Sequence, residues 1–143
     1  MDGFLLVETA LEELPPLEAP DSCGAVVEFR GRVRNHNAGR PVRALHYSAY
    51  PGLARTEGTR ILTEARERFS LDAARAAHRI GELEIGDTVL LVQAASSRRE
   101  ESFAACRWIV DQIKTRVPIW KKEHYTDGSS AWLMPPPGDG KDP

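Results

Sequence analysis

The sequence predicts an α+β domain in which antiparallel hairpins pack against two main helices. Three observations carry that expectation. Two stretches, one beginning at Pro51 and one at Ser97, space apolar residues at helical intervals with charge on the other side. Around them lie short runs that are either period-two or apolar throughout, as strands are. Those runs are separated by turns rich in Gly, Pro and Asn that are short enough for hairpins. At 143 residues the chain fits one domain, able to build a core without disulfides or metals.

Taken in order, "FLLVETALEELPPLEAP" reads as a short strand, one or two helical turns and a Pro-rich connector. "GAVVEFRGRVR" alternates. Val27, Phe29 and Val33 point one way, while Glu28, Arg30, Arg32 and Arg34 point the other, so the solvent-side row is cationic toward Arg34. "NHNAGRP" is a turn, and "VRALHYSAY" is a second strand expected to close a hairpin with the first. Leu53, Ile61, Leu62, Ala65 and Phe69 form an amphipathic helical stripe, which Gly58 weakens by about 1 kcal/mol relative to Ala. "AARAAHRIGELEIGD" reads as a strand ending in a turn at Gly86-Asp87, and "TVLLVQAAS" as the central strand. "SRREESFAACRWIVDQIKTR" is the clearest helix. Ser97 is placed to cap it with Glu100 three residues on, and Phe103, Cys106, Ile109, Val110 and Ile113 form its buried stripe. Pro118 prevents its continuation. "IWKKEHYTDGSSAWL" supplies a strand, an Asp127-Gly128 turn and a closing strand. The order is roughly ββαββαββ over a domain at 1–133, with 134–143 expected to be a flexible Pro/Gly-rich tail.

Several function classes are disfavoured by composition. The net charge of −2 counts against a generic nucleic-acid binder despite local Arg/Lys clusters. Cys23 and Cys106 are far apart and read as reduced thiols, and the histidines show no metal-ligand spacing, so no metal site is expected. There is no GxSxG, GxxxxGK[ST] or GxGxxG. The acidic N-terminus lacks the basic start of a signal peptide, and no apolar run approaches the ~20 residues that span a bilayer. A cytoplasmic protein without nucleic-acid or membrane partners is the expectation.

Three cationic groups remain to be explained. Arg30, Arg32 and Arg34 share one strand face. Arg98 and Arg99 lie where the central strand meets a helix, a junction that suits a phosphate as well as it suits solvent. Lys114 falls in the last turn of that helix, where the helix dipole alone favours a cation by about 0.3–1 kcal/mol. The break at Pro118 allows Lys114 and Lys121 to converge. Neighbouring ammonium groups disfavour each other's charge, and a neutral amine can act as base or nucleophile. If Trp120 is core, Lys121 points outward. His36 reads as a turn residue, His78 as a structural strand residue, and Tyr47 and Tyr50 as packing residues.

In combination, "GAVVEFRGRVRNHN", "YPGL", "HRIGELEIGD", "SSRREESFAA", "DQIKTRVPIWKKE" and "DGSSAW" resemble the large, catalytic subunit family of molybdopterin synthase. They follow the family's order and spacing from about Gly24 to Leu133. The resemblance implies an α/β-hammerhead-type fold and a homodimer. It implies that each protomer binds a small ubiquitin-like sulfur carrier ending in Gly-Gly, giving a heterotetramer. The implied reaction moves two sulfurs from the carrier's C-terminal thiocarboxylate to cyclic pyranopterin monophosphate, with no metal or cofactor in this step. Lys114 and Lys121 match the family's active-centre lysines, and Arg32, Val33 and Arg34 its substrate-binding turn. Arg99 matches a pocket arginine with Arg98 beside it, and Lys122 and Glu123 continue the substrate-binding stretch. Arg116 is left as structural. Arg98 stands where the family commonly has His, and Ser48 where it often has Glu. A non-catalytic anion- or carrier-binding module on the same fold is the alternative that Arg98 leaves open.

Overall fold

The run at Thr88–Ser96 is buried at every position, so it needs cover on both faces and neighbours on both edges. The computed structural model, which describes residues 3–133, provides both and adopts the α+β class. Its elements are β1 (Gly3–Val7), a 3-10 turn (Leu11–Glu13), β2 (Ala25–Arg32), β3 (His36–Asn37), β4 (Arg40–Ala49), α1 (Pro51–Phe69), β5 (Ala73–Arg79), β6 (Gly81–Glu84), β7 (Thr88–Ser96), α2 (Arg99–Arg116), β8 (Ile119–Tyr125) and β9 (Ser130–Leu133). One sheet has the order β1-β5-β7-β2, antiparallel except for the β1/β5 pair. The other runs β3-β4-β8-β9, with β6 on the second edge of β4.

Both helices cover one face of the first sheet, α1 over β1 and β5 and α2 over β7 and β2. They are tied to each other by the Phe69 and Trp108 rings, 5.8 Å apart, and by Arg116, which grips Glu64 at 2.8 and 3.2 Å. That pairing gives Arg116 its structural role. On the sheet's other face Leu11 and Leu14 cover Ala77 and Leu91. The main core, under the helices, continues into the second sheet through Val33, Val42, Leu45, Leu83 and Tyr125. The tail expected at 134–143 lies outside the described residues.

Four local expectations are corrected. The strands β2 and β4 do not form a hairpin. A bulge at Gly31/Arg32 turns the chain out of the first sheet. The Val33 N–H then donates to Asp87 and its carbonyl accepts from Gly86, so the β6–β7 turn takes the place of β4. The hairpin is confined to β3 and β4, with His36 opposite Pro41. Residues 73–87 form two strands in different sheets, broken at Gly81, whose φ is +95°. Ser97 does not cap α2. Its carbonyl and that of Ser96 are held by the Gly24 N–H, so the helix starts at Arg99 without a side-chain cap. Finally, Phe103 is 61% exposed and Leu53 56% exposed, because Ser102 and Ala105 occupy the inner face of α2 and Ala54 that of α1.

Gly58 also changes meaning. The Phe4 ring lies directly on it, so an added Cβ would overlap the ring. Gly58→Ala is expected to destabilise the fold by about 1–2 kcal/mol, because overpacking outweighs the helix-propensity gain of about 1 kcal/mol. Chemical denaturation decides the sign, and a variant more stable than wild type would contradict this packing.

Candidate functional site

The two sheets part at the C-terminal end of α2 to leave a cavity of about 400 Å³. Each wall follows from local chain geometry. The bulge in β2 delivers Arg32, Val33 and Arg34 to one side. The last turn of α2 delivers Lys114, and Pro118 then turns the chain into β8. In the β4–β8 ladder Leu45 opposes Glu123 and Tyr47 opposes Lys121, so these four side chains share the face that looks into the cavity. From the first sheet come Phe29, His78 and Leu90.

The site combines a cationic rim with a drier floor. Arg32, Arg34, Lys114 and Lys121 face one buried carboxylate, that of Glu123, which is 2% exposed. Its Oε1 accepts from the Tyr125 hydroxyl at 2.8 Å, and its Oε2 lies 4.0 Å from Lys121 Nζ. The Glu123 hydrogen bond pushes the Tyr125 phenol up, and the Arg40 guanidinium stacks 3.5 Å over that ring. His78 is pushed down to about 4, first by burial and further by the Lys114 charge, so its imidazole is neutral at pH 7. Its Nδ1 donates to the Arg79 carbonyl at 2.8 Å, and its ring meets the Tyr47 ring edge-on at 5.0 Å. Burial pushes the Cys106 thiol up to about 11, and burial and Asp72 push Cys23 up. Neither cysteine borders the cavity, so neither brings a thiolate to it.

Lys114, Lys121, Arg32, Val33, Arg34 and Glu123 are therefore brought together from distant points in the sequence. Lys122 is not. It alternates to the other face of β8 and lies 5.7 Å over the Trp132 ring. Arg98 and Arg99 are not either, because they open α2 while Lys114 closes it, about 22 Å away at ~1.5 Å per residue. Trp120 is half-buried, meets Tyr50 edge-on at 5.1 Å and borders the cavity as well, and Lys121 faces the cavity rather than solvent. His36 reaches the exposed rim, where its Nδ1 lies 3.0 Å from Asn35 Oδ1. Tyr47 and His78, read from the sequence as a packing and a structural residue, also line the cavity, on the same strand faces as the core positions Leu45 and Ala76. Among the described residues no cluster of His, Cys, Asp and Glu could hold a metal ion.

The model of the MoaE protein family matches residues 7–116. A molybdopterin synthase catalytic subunit from Pyrococcus abyssi is 46% identical over 123 residues, covering 86% of this chain and 82% of the relative. The crystal structure of molybdopterin synthase from Staphylococcus aureus superposes with a TM-score of 0.79 at 30% identity, covering 92% of this chain and 96% of that one. A complex of subunits 1 and 2 of molybdopterin-converting factor from Helicobacter pylori has the same fold, with a TM-score of 0.69 at 18% identity over 92% of this chain and 88% of that one. A family match over most of the length, joined to identity of this order along the same stretch, places the chain in the family of molybdopterin synthase catalytic subunits.

Proposed function

We propose that this chain catalyses the sulfur transfer that makes molybdopterin. The substrate is cyclic pyranopterin monophosphate, and the sulfur comes from the C-terminal thiocarboxylate of a small ubiquitin-like carrier ending in Gly-Gly. The observation that carries this reading is the convergence of Lys114 and Lys121 on one cavity with Arg32 and Arg34. A phosphorylated substrate calls for such cations. For each sulfur delivered, the carrier's C–S bond breaks, a C–S bond replaces a C–O bond on the pterin precursor, whose oxygen stays with the phosphate or leaves as water, and oxygen from water restores a carboxylate on the carrier. Charge develops on oxygen as this happens, and an ammonium held in a water-poor cavity stabilises it. A lysine in its neutral form takes the proton from the attacking water. No metal or cofactor is assigned to the step.

The assembly is a homodimer carrying two small subunits. Arg98 and Arg99 are too distant to serve the cavity of their own chain. As substrate ligands they act from the second protomer, where they reach the phosphate. No helix among the described residues is long and apolar enough to cross a membrane. Reconstitution tests the reading. Purified protein, thiocarboxylated carrier and the pterin precursor should yield molybdopterin, with the carrier recovered as carboxylate by mass spectrometry. Carrier binding without product would favour the non-catalytic module instead.

A further inference from the structure

His78 lies on the cavity floor with no part in the proton transfers above. Its Nδ1 must carry the proton, because its partner there is the Arg79 carbonyl. The neutral ring therefore presents an acceptor at Nε2. Among the described residues, the buried side-chain nitrogen or oxygen left without a partner is Arg79 Nε. Among the described residues no hydrogen bond engages His78 Nε2, and the residue lines the cavity.

Few side chains in this site can accept a hydrogen bond, and besides His78 and Glu123 they are the Tyr47 hydroxyl and His36 and Asn37 from β3. Arg32, Arg34, Lys114 and Lys121 can only donate when charged. Glu123 is already engaged by Tyr125 and neighboured by Lys121. Phe29 and Leu90 add apolar surface to the same cavity, and the Tyr47 ring meets His78 edge-on. Such a pocket suits a planar heterocycle with an N–H edge at one end and a phosphate at the other.

We propose that His78 is a specificity-determining residue whose Nε2 accepts a hydrogen bond from a ring N–H of the bound pterin. The proposal rests on the sulfur-transfer reading above and adds to it the orientation of the heterocycle, ring on His78 and phosphate toward the arginines.

Two substitutions separate this role from a structural one. His78→Asn keeps a donor for the Arg79 carbonyl and removes the cavity acceptor. His78→Gln places an amide oxygen near the Nε2 position and gives up the Nδ1 contact. With the reconstituted complex, His78→Asn should raise the KM for the pterin about tenfold and leave the KM for the carrier unchanged. His78→Gln should stay within about threefold of wild type. The reverse order, with Gln impaired and Asn normal, would overturn the proposal in favour of a structural role. An increase in KM for the carrier alone would overturn it in favour of a contact to the Gly-Gly tail. An unchanged His78→Asn in an active complex defeats this proposal and leaves the reaction standing, whereas wild-type protein that neither binds nor converts the pterin defeats both. Wild-type protein labelled with 15N-histidine gives a readout free of folding effects. The His78 Nε2 resonance should move when the pterin saturates the site, and an unmoved resonance counts against the contact.

Discussion

Lys114→Ala is expected to lower the rate of sulfur transfer about 10³-fold, a typical loss when a positioned acid–base or charge-stabilising group is removed. Its cost to the fold should be small. The side chain leaves the last turn of α2 toward the cavity, while Ile113 and Val117 beside it carry the packing. Losing a cation from that position forfeits about 0.3–1 kcal/mol of dipole interaction, or roughly 3 °C in Tm for a chain of this size. Single-turnover product formation and thermal denaturation, run on the same preparation, separate the two effects. Lys114→Arg sharpens the interpretation, because it keeps the charge but cannot supply a neutral amine. If Lys114 only stabilises charge, Arg restores much of the rate; if it moves a proton, Arg behaves like Ala. A Lys114→Ala enzyme with wild-type turnover would remove Lys114 from the catalytic assignment.

The contrast between α2 and β2 shows what the sequence made legible. In α2 the buried stripe Cys106, Ile109, Val110 and Ile113 was visible because helical spacing ties each position to its neighbours within the element. The alternation of β2 was visible for the same reason. The partners of β2 were not, because pairing is decided at a distance. The bulge at Gly31/Arg32 and the Val33 hydrogen bonds to Gly86 and Asp87 divert the chain into the other sheet, and no local pattern records that. The site follows the same division. The convergence of Lys114 and Lys121 could be framed from the Pro118 break. The exclusion of Lys122, Arg98 and Arg99 from the cavity required the ladder register and the direction of α2. His78 looked structural because a histidine in an alanine-rich strand gives no sign of where that strand ends. It ends at the cavity.

Arg75 carries the largest expected effect on stability. It is 2% exposed in the middle of β5, among alanines that offer it no charge partner. Its Nε and Nη2 both donate to Gln93 Oε1, at 2.9 and 2.6 Å, and its Nη1 donates to the Pro15 carbonyl at 2.7 Å. The Gln93 amide passes the connection to Glu28 at 2.7 Å, and Glu28 holds Arg30 at 2.6 Å. The guanidinium thus fastens the segment around Pro15 to the outer face of the first sheet. Arg75→Met fills much of the volume but leaves Gln93 Oε1 and the Pro15 carbonyl without donors. A loss of about 3 kcal/mol follows, near 10 °C in Tm. Arg75→Lys keeps the charge without the fork and should lose about half as much. Activity provides the control. Side chains alternate across β5, so Arg75 lies on the face opposite His78 and the cavity. Well below its Tm, Arg75→Met should therefore retain wild-type kcat and KM. A wild-type Tm would show that the buried guanidinium does not hold the segment, and a selective loss of kcat at unchanged Tm would place Arg75 in contact with the chemistry.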